Sequence, residues 1–135
     1  MTGNGGAILS LLLLLFLPPH SICVARADDG VAFFTTGKCT VNSTCVMSPN
    51  YPDDYNRNDD CVITVERDGV LDVEAFDLEK DADFLTVNDV KYTDTAGPEG
   101  VAVAAGDVME FTSDGTGQYS GFDICWMAPP TPRCS

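Results

Sequence analysis

Histidine is almost absent from this sequence. The one copy, His20, falls in an N-terminal segment expected to be removed, so the mature chain has none. Nucleophilic triads and most acid–base sites are built on histidine, and its lack argues against catalysis. Cys-x-x-Cys pairs are missing too, which leaves a zinc site without its usual ligands. Basic residues are scarce, with 7 Lys and Arg against 21 Asp and Glu and a formal net charge of -14. So acidic a surface repels phosphate backbones and anionic membranes, excluding nucleic acid and favouring cations or basic proteins as partners. No window has the period of a long amphipathic helix; Ala102 to Gly106 is too short and is bounded by glycine. There is no internal repeat.

What is present begins with an apolar run, Ile8 to Leu17, closed by Pro18-Pro19 and followed by the small-x-small sequence Ala25-Arg26-Ala27. That order predicts a secretory signal peptide over 1–27, although no Lys or Arg precedes the run. The run is too short for a membrane anchor, since a helix needs about 20 apolar residues to cross a hydrocarbon core. The expected product is a secreted chain of Asp28 to Ser135 without membrane insertion. It loses Arg26 but keeps every acid, so it is more acidic still. Its length suits one domain with a modest core, the class of small secreted domain that needs covalent staples.

Cys39, Cys45, Cys61, Cys125 and Cys134 survive removal of the leader, which itself carries Cys23. In an oxidising compartment five cysteines read as two disulfides and one left over, with the connectivity open. Asn42-Ser43-Thr44 is a glycosylation sequon between two of them and suits an exposed loop.

Asp28 to Lys38 reads as a lead-in, and from Cys39 onward strands and turns alternate. Ile63 and Val65 oppose Thr64 and Glu66, and Asp68-Gly69 is a hairpin signal into a run where Leu71, Val73 and Ala75 share a face. Leu85, Val87 and Val90 surround a tight turn at Asn88-Asp89. Gly97 to Gly100 and Gly106-Asp107 break the chain before Val101 and Val108. Phe122, Ile124 and Trp126 alternate with Asp123 and Cys125, placing both aromatics in the core or at its rim rather than on a ligand-stacking face. Six to eight short strands at this spacing predict an all-β sandwich or barrel. A Pro-rich tail over 128–135 reads as an extended linker.

Ser48-Pro49-Asn50-Tyr51-Pro52, with Tyr55 and Cys61 after it, resembles the opening of a CUB domain. Phe76-Asp77-Leu78-Glu79, Asp83-Phe84-Leu85-Thr86-Val87, Ser113-Asp114 and Gly121-Phe122 follow in that family's order, so the resemblance covers Cys39 to about Trp126. It implies an all-β antiparallel sandwich of jelly-roll type over 39–127, with a Cys39–Cys61 disulfide. The family's second pair is missing, as are residues between Glu79 and Asp83. Cys45 and Cys125, on first and last core strands that could be neighbours in such a sandwich, are then expected to pair. Cys134 is left unpaired or bonded to another chain.

The resemblance also implies a Ca²⁺ site at one end of the sandwich, with Glu79, Asp83 and Asp114 as ligands. Carbonyls around Gly115 to Gly117 would add to it, and Tyr55 (or Tyr51) would orient a carboxylate. Ca²⁺ takes six to eight oxygen ligands in irregular geometry, which loop carboxylates and carbonyls supply. The bland alternative is a solvated acidic turn, common in so acidic a chain. Asp53-Asp54 and Asp59-Asp60 read as solvated turn residues. Asp114 to Gly117 has a superficial likeness to an aspartic protease motif, but the residue order is wrong. The expected function is a non-catalytic secreted module that binds an extracellular protein with basic side chains, or a glycan, with Ca²⁺. The alternative is a structural extracellular domain without a ligand, linked to another chain through Cys134.

Overall fold

The computed structural model describes residues 30–130. The expected leader over 1–27, its cleavage after Ala27, Cys134 and the end of the Pro-rich tail lie outside the described residues. The described part is all strand and turn. In chain order the strands are β1 (Phe33–Gly37), β2 (Thr40–Asn42), β3 (Cys45–Met47), β4 (Asp60–Val65), β5 (Gly69–Asp77), β6 (Phe84–Val87), β7 (Val90–Tyr92), β8 (Ala102–Val103), β9 (Val108–Thr112) and β10 (Gly121–Met127). They form two five-stranded antiparallel sheets, β1-β4-β9-β6-β7 and β2-β3-β10-β5-β8. Only β2–β3 and β6–β7 are hairpins; every other connection changes sheet, as a jelly-roll sandwich requires. Among the described residues no helix is long and apolar enough to cross a membrane.

Alternation fills the space between the sheets. Cys61, Ile63 and Val65 of β4, Leu85 and Val87 of β6, and Met109 and Phe111 of β9 point inward from one sheet. Val46, Leu71, Phe76, Phe122, Ile124 and Trp126 meet them from the other. Each large apolar side chain so buried contributes about 1.5–3 kcal/mol. Aromatic contacts organise the centre: Phe111 meets Tyr55 edge-on at 5.2 Å and Phe122 edge-on at 5.5 Å, and Phe122 lies near-parallel to Phe76 at 6.4 Å.

Three sequence expectations need correction here. Asp28 to Lys38 is more than a lead-in, because Phe33 to Gly37 pair with β4 from Val65 to Cys61 as an edge strand and bury Phe33. Asp68-Gly69 does not close a hairpin; it carries the chain from one sheet to the other. Gly69 is small because Trp126 lies over it, and a Cβ there would fall on the indole nitrogen. The face Leu71–Val73–Ala75 does not run true. Ala75 pairs with Asp123 and Val73 with Ile124, so a bulge at Glu74 flips the alternation and turns Phe76 and Leu78 inward. Val90 sits beyond the turn on an edge strand and is 51% exposed. The turn itself is as expected, with Asn88 at φ 49° and Asp89 at φ 64°.

Cys39 and Cys61 are joined by a disulfide, and so are Cys45 and Cys125, which face each other on neighbouring β3 and β10. Asn42 and Ser43 of the sequon are exposed at the β2–β3 turn.

Candidate metal centre

Three connections meet at one end of the sandwich: β3–β4, β5–β6 and β9–β10. The register brings them together, because Asp60 at the start of β4 pairs with Thr112 at the end of β9, which pairs with Phe84 at the start of β6. The first and third loops are clamped by Ser113. Its hydroxyl accepts the Asp59 N–H at 2.8 Å and donates to the Asn56 carbonyl at 2.9 Å. The Asn58 N–H adds a bond to the Asp114 carbonyl at 2.8 Å.

Glu79, Asp83 and Asp114 each place a carboxylate oxygen within 4.8 Å of the other two. The β5–β6 loop reaches this point in few residues by closing on itself. The Asp83 N–H donates to the Glu79 carbonyl at 3.1 Å, with Asp81 at φ 59° between them. The Thr93 hydroxyl, just after β7, donates to the same carbonyl at 2.9 Å and accepts the Asp81 N–H at 3.0 Å. Asp83 is buried, Glu79 half-buried and Asp114 exposed, so the cluster opens from the core to solvent.

Tyr55 is the floor of the site. It is 1% exposed; its hydroxyl donates to Asp83 Oδ2 at 2.6 Å and accepts the Glu79 N–H at 3.1 Å. Burial first, and then the bond it gives Asp83, hold its pKa far above the ordinary phenol value, so it stays a donor. Asp83 Oδ1 accepts the Asp114 N–H at 2.7 Å, and Asp114 Oδ1 takes the Thr116 N–H at 3.0 Å in a local turn. Tyr51, the alternative orienting residue, is half-buried in the turn ahead of Tyr55 and hydrogen-bonds through its N–H to the Ser48 carbonyl.

Two observations fit this set to a hard cation. Glu79 Oε2 is buried without a hydrogen-bond partner. Burial first, then the charges of Asp114 and Asp83, push the Glu79 carboxyl above its usual range. A cation would relieve both, and oxygen donors alone suit Ca²⁺. Gly117 forms a wall of the site at φ 69°, where a Cβ would fall on the Glu79 carboxylate. Gly115 is exposed at the turn. The sequence singled out the loop carbonyls here but missed this packing role of Gly117, for which the glycine itself was the signal.

The sequence also missed Asp59. Expected to be solvated, it is 1% exposed, accepts Lys38 Nζ at 2.8 Å and the Asn56 N–H at 2.9 Å, and ties the chain after β1 to the β3–β4 loop. Asp53, Asp54 and Asp60 are exposed as expected. A second group, Cys45, Asp123 and Cys125, also has its candidate ligand atoms within 4.8 Å of one another, but both sulfurs are tied in the disulfide.

A family model described as CUB domain matches residues 36–126, well over half of the chain. The match starts inside β1 and ends in β10. No solved structure matches the chain significantly.

Proposed function

We propose, since this chain belongs to the CUB domain family, that it binds a basic partner protein in a Ca²⁺-dependent manner at the acidic end of its sandwich. Domains of this family are in general extracellular protein-binding modules. The observation that carries the finer reading is the buried, unpartnered Glu79 Oε2 within reach of Asp83 and Asp114. Glu79, Asp83 and Asp114 would hold the ion, which supplies positive charge to a site that otherwise gathers three carboxylates. With the ion bound the acids keep a net negative rim, which attracts a lysine or arginine of the partner rather than a neutral glycan. Tyr55 and the Asp114 N–H hold Asp83 in place and leave little to reorganise on binding.

Thermal unfolding in millimolar Ca²⁺ and in chelator tests the site, because a ligand of the folded state alone must raise its midpoint. Wild type is expected to melt higher with Ca²⁺ and Asp83→Asn/Asp114→Ala is expected not to respond. A wild type indifferent to the chelator would leave the acidic loops a solvated surface. Partner binding is then measured with and without the ion.

A further inference from the structure

We propose that Cys45–Cys125 is a thiol-reducible bridge whose opened form, together with Asp123, makes a binding site for a divalent cation of the zinc class. The two disulfides differ in setting. Cys39 and Cys61 are 5% and 2% exposed within the core. Cys45 and Cys125 are only half-buried, and the inward pointing of Val46 and Ile124 places them on the outer face of their sheet. Accessibility is the first requirement for thiol–disulfide exchange.

The strands joined by this bridge are also held by main-chain pairing. β3 and β10 pair in register at Asp123↔Met47, Ile124↔Val46 and Cys125↔Cys45, and β10 is held on its other side by β5 from Gly121 to Met127. Retained pairing is expected to leave the two sulfurs opposite each other once the bond is open. Asp123 stands two residues before Cys125 on the same face, which places a carboxylate oxygen within 4.8 Å of both sulfurs. Its Oδ1 is buried and accepts no hydrogen bond. A disulfide has no proton to offer that carboxylate, whereas a thiol has one.

The exchange balances with a dithiol as reductant. One thiolate attacks a cysteine sulfur, the S–S bond breaks as a mixed disulfide forms, and the second thiol displaces the remaining cysteine. Two electrons and two protons pass to Cys45 and Cys125, and the reductant leaves as a disulfide. Zinc binding then releases both thiol protons and gives two thiolates and a carboxylate, a donor set zinc accepts with water as fourth ligand. Sulfur ligands separate this site from the all-oxygen end of the sandwich. Asp72, the β5 partner of Cys125, and Asp123 repel anionic thiols, so the exchange is run at about 0.15 M salt, where exposed charges are screened.

The folded secreted chain is treated with limiting dithiothreitol, alkylated and mapped by mass spectrometry. Cys45 and Cys125 should be labelled at about tenfold less reductant than Cys39 and Cys61, with the circular dichroism of the fold retained. In the opened protein, one equivalent of Zn²⁺ should slow alkylation of Cys45 and Cys125 about tenfold, and Asp123→Asn should lose most of that protection. Opening of Cys39–Cys61 first, or of both bridges together with loss of the fold, overturns the reducible bridge. Unhindered alkylation of wild type in excess Zn²⁺ overturns the cation site, whatever the variant does.

Discussion

Tyr55 donates a 2.6 Å hydrogen bond to Asp83 across the base of three loops, and the same oxygen receives the Glu79 N–H. One phenol thus fixes a candidate ligand and the backbone of another. Tyr55→Phe keeps the edge-on contact with Phe111 but strands the Glu79 N–H and Asp83 Oδ2. The expected loss in chelator is about 1–3 kcal/mol by urea unfolding, the range for a buried polar group left unpaired. Ca²⁺ affinity by calorimetry should fall about tenfold, a 1.4 kcal/mol effect.

Gly117→Ala separates space from charge. A methyl there must displace the Glu79 carboxylate, and a left-handed backbone disfavours alanine by about 1–2 kcal/mol. The folded domain should persist in chelator with a slightly lower melting point. Its rise on adding Ca²⁺ should be at most half that of wild type; a full rise would remove Glu79 from the ligand set.

Lys38 and Asp59 make an uneven ion pair, the lysine side chain 65% exposed and the carboxylate fully covered. Lys38→Met leaves a buried charge with only the Asn56 N–H as a partner, and should lower the urea midpoint more than loss of an exposed pair would. Lys38→Met/Asp59→Asn should recover part of the loss, because the amide carries no charge to strand. The hydrogen bond to Asp59 raises the Lys38 pKa. Its contribution is therefore complete below the ordinary lysine value of 10.5 and is lost as pH climbs through the raised one.

Burial raises the Asp123 carboxyl above its ordinary value of 3.8. The folded state then holds its proton more tightly than the unfolded chain, so ionisation destabilises as pH rises through that window. Asp123→Asn should melt higher than wild type at pH 7, and the difference should vanish below the ordinary aspartate value. Equal midpoints at both ends of the pH range would show that the carboxylate is better solvated than its position implies.

Much of this was legible in the chain. Ile63, Val65, Phe122, Ile124 and Trp126 alternate and are buried as period two demands. The motifs from Ser48 to Phe122 named the family whose model matches. What failed were features set by the partner sheet. Nothing in Leu71 to Phe76 announces a bulge, because the extra residue is defined only against β10. Asp68-Gly69 has hairpin chemistry, but the approach of Trp126 decides where the chain goes. Asp59 looks like its acidic neighbours until Lys38, far back in sequence, is laid beside it. Glu79, Asp83 and Asp114 were named together, with Tyr55, only as what a resemblance implies. That they gather around Tyr55 follows from the register of β4, β9 and β6.

The three loops at the acidic end come from well-separated parts of the chain, and their contacts span 28 residues from Tyr55 to Asp83 and 31 from Asp83 to Asp114. Those groups stand together only when both sheets have closed, so the site is expected to form late in folding. A ligand held there is then expected to act on contacts made after the transition state. It should slow the rate of opening and leave the rate of folding almost unchanged. In a family whose domains are in general extracellular, lifetime is the more useful gain: the acidic loops would be the part that, once loaded, keeps the whole sandwich from coming apart.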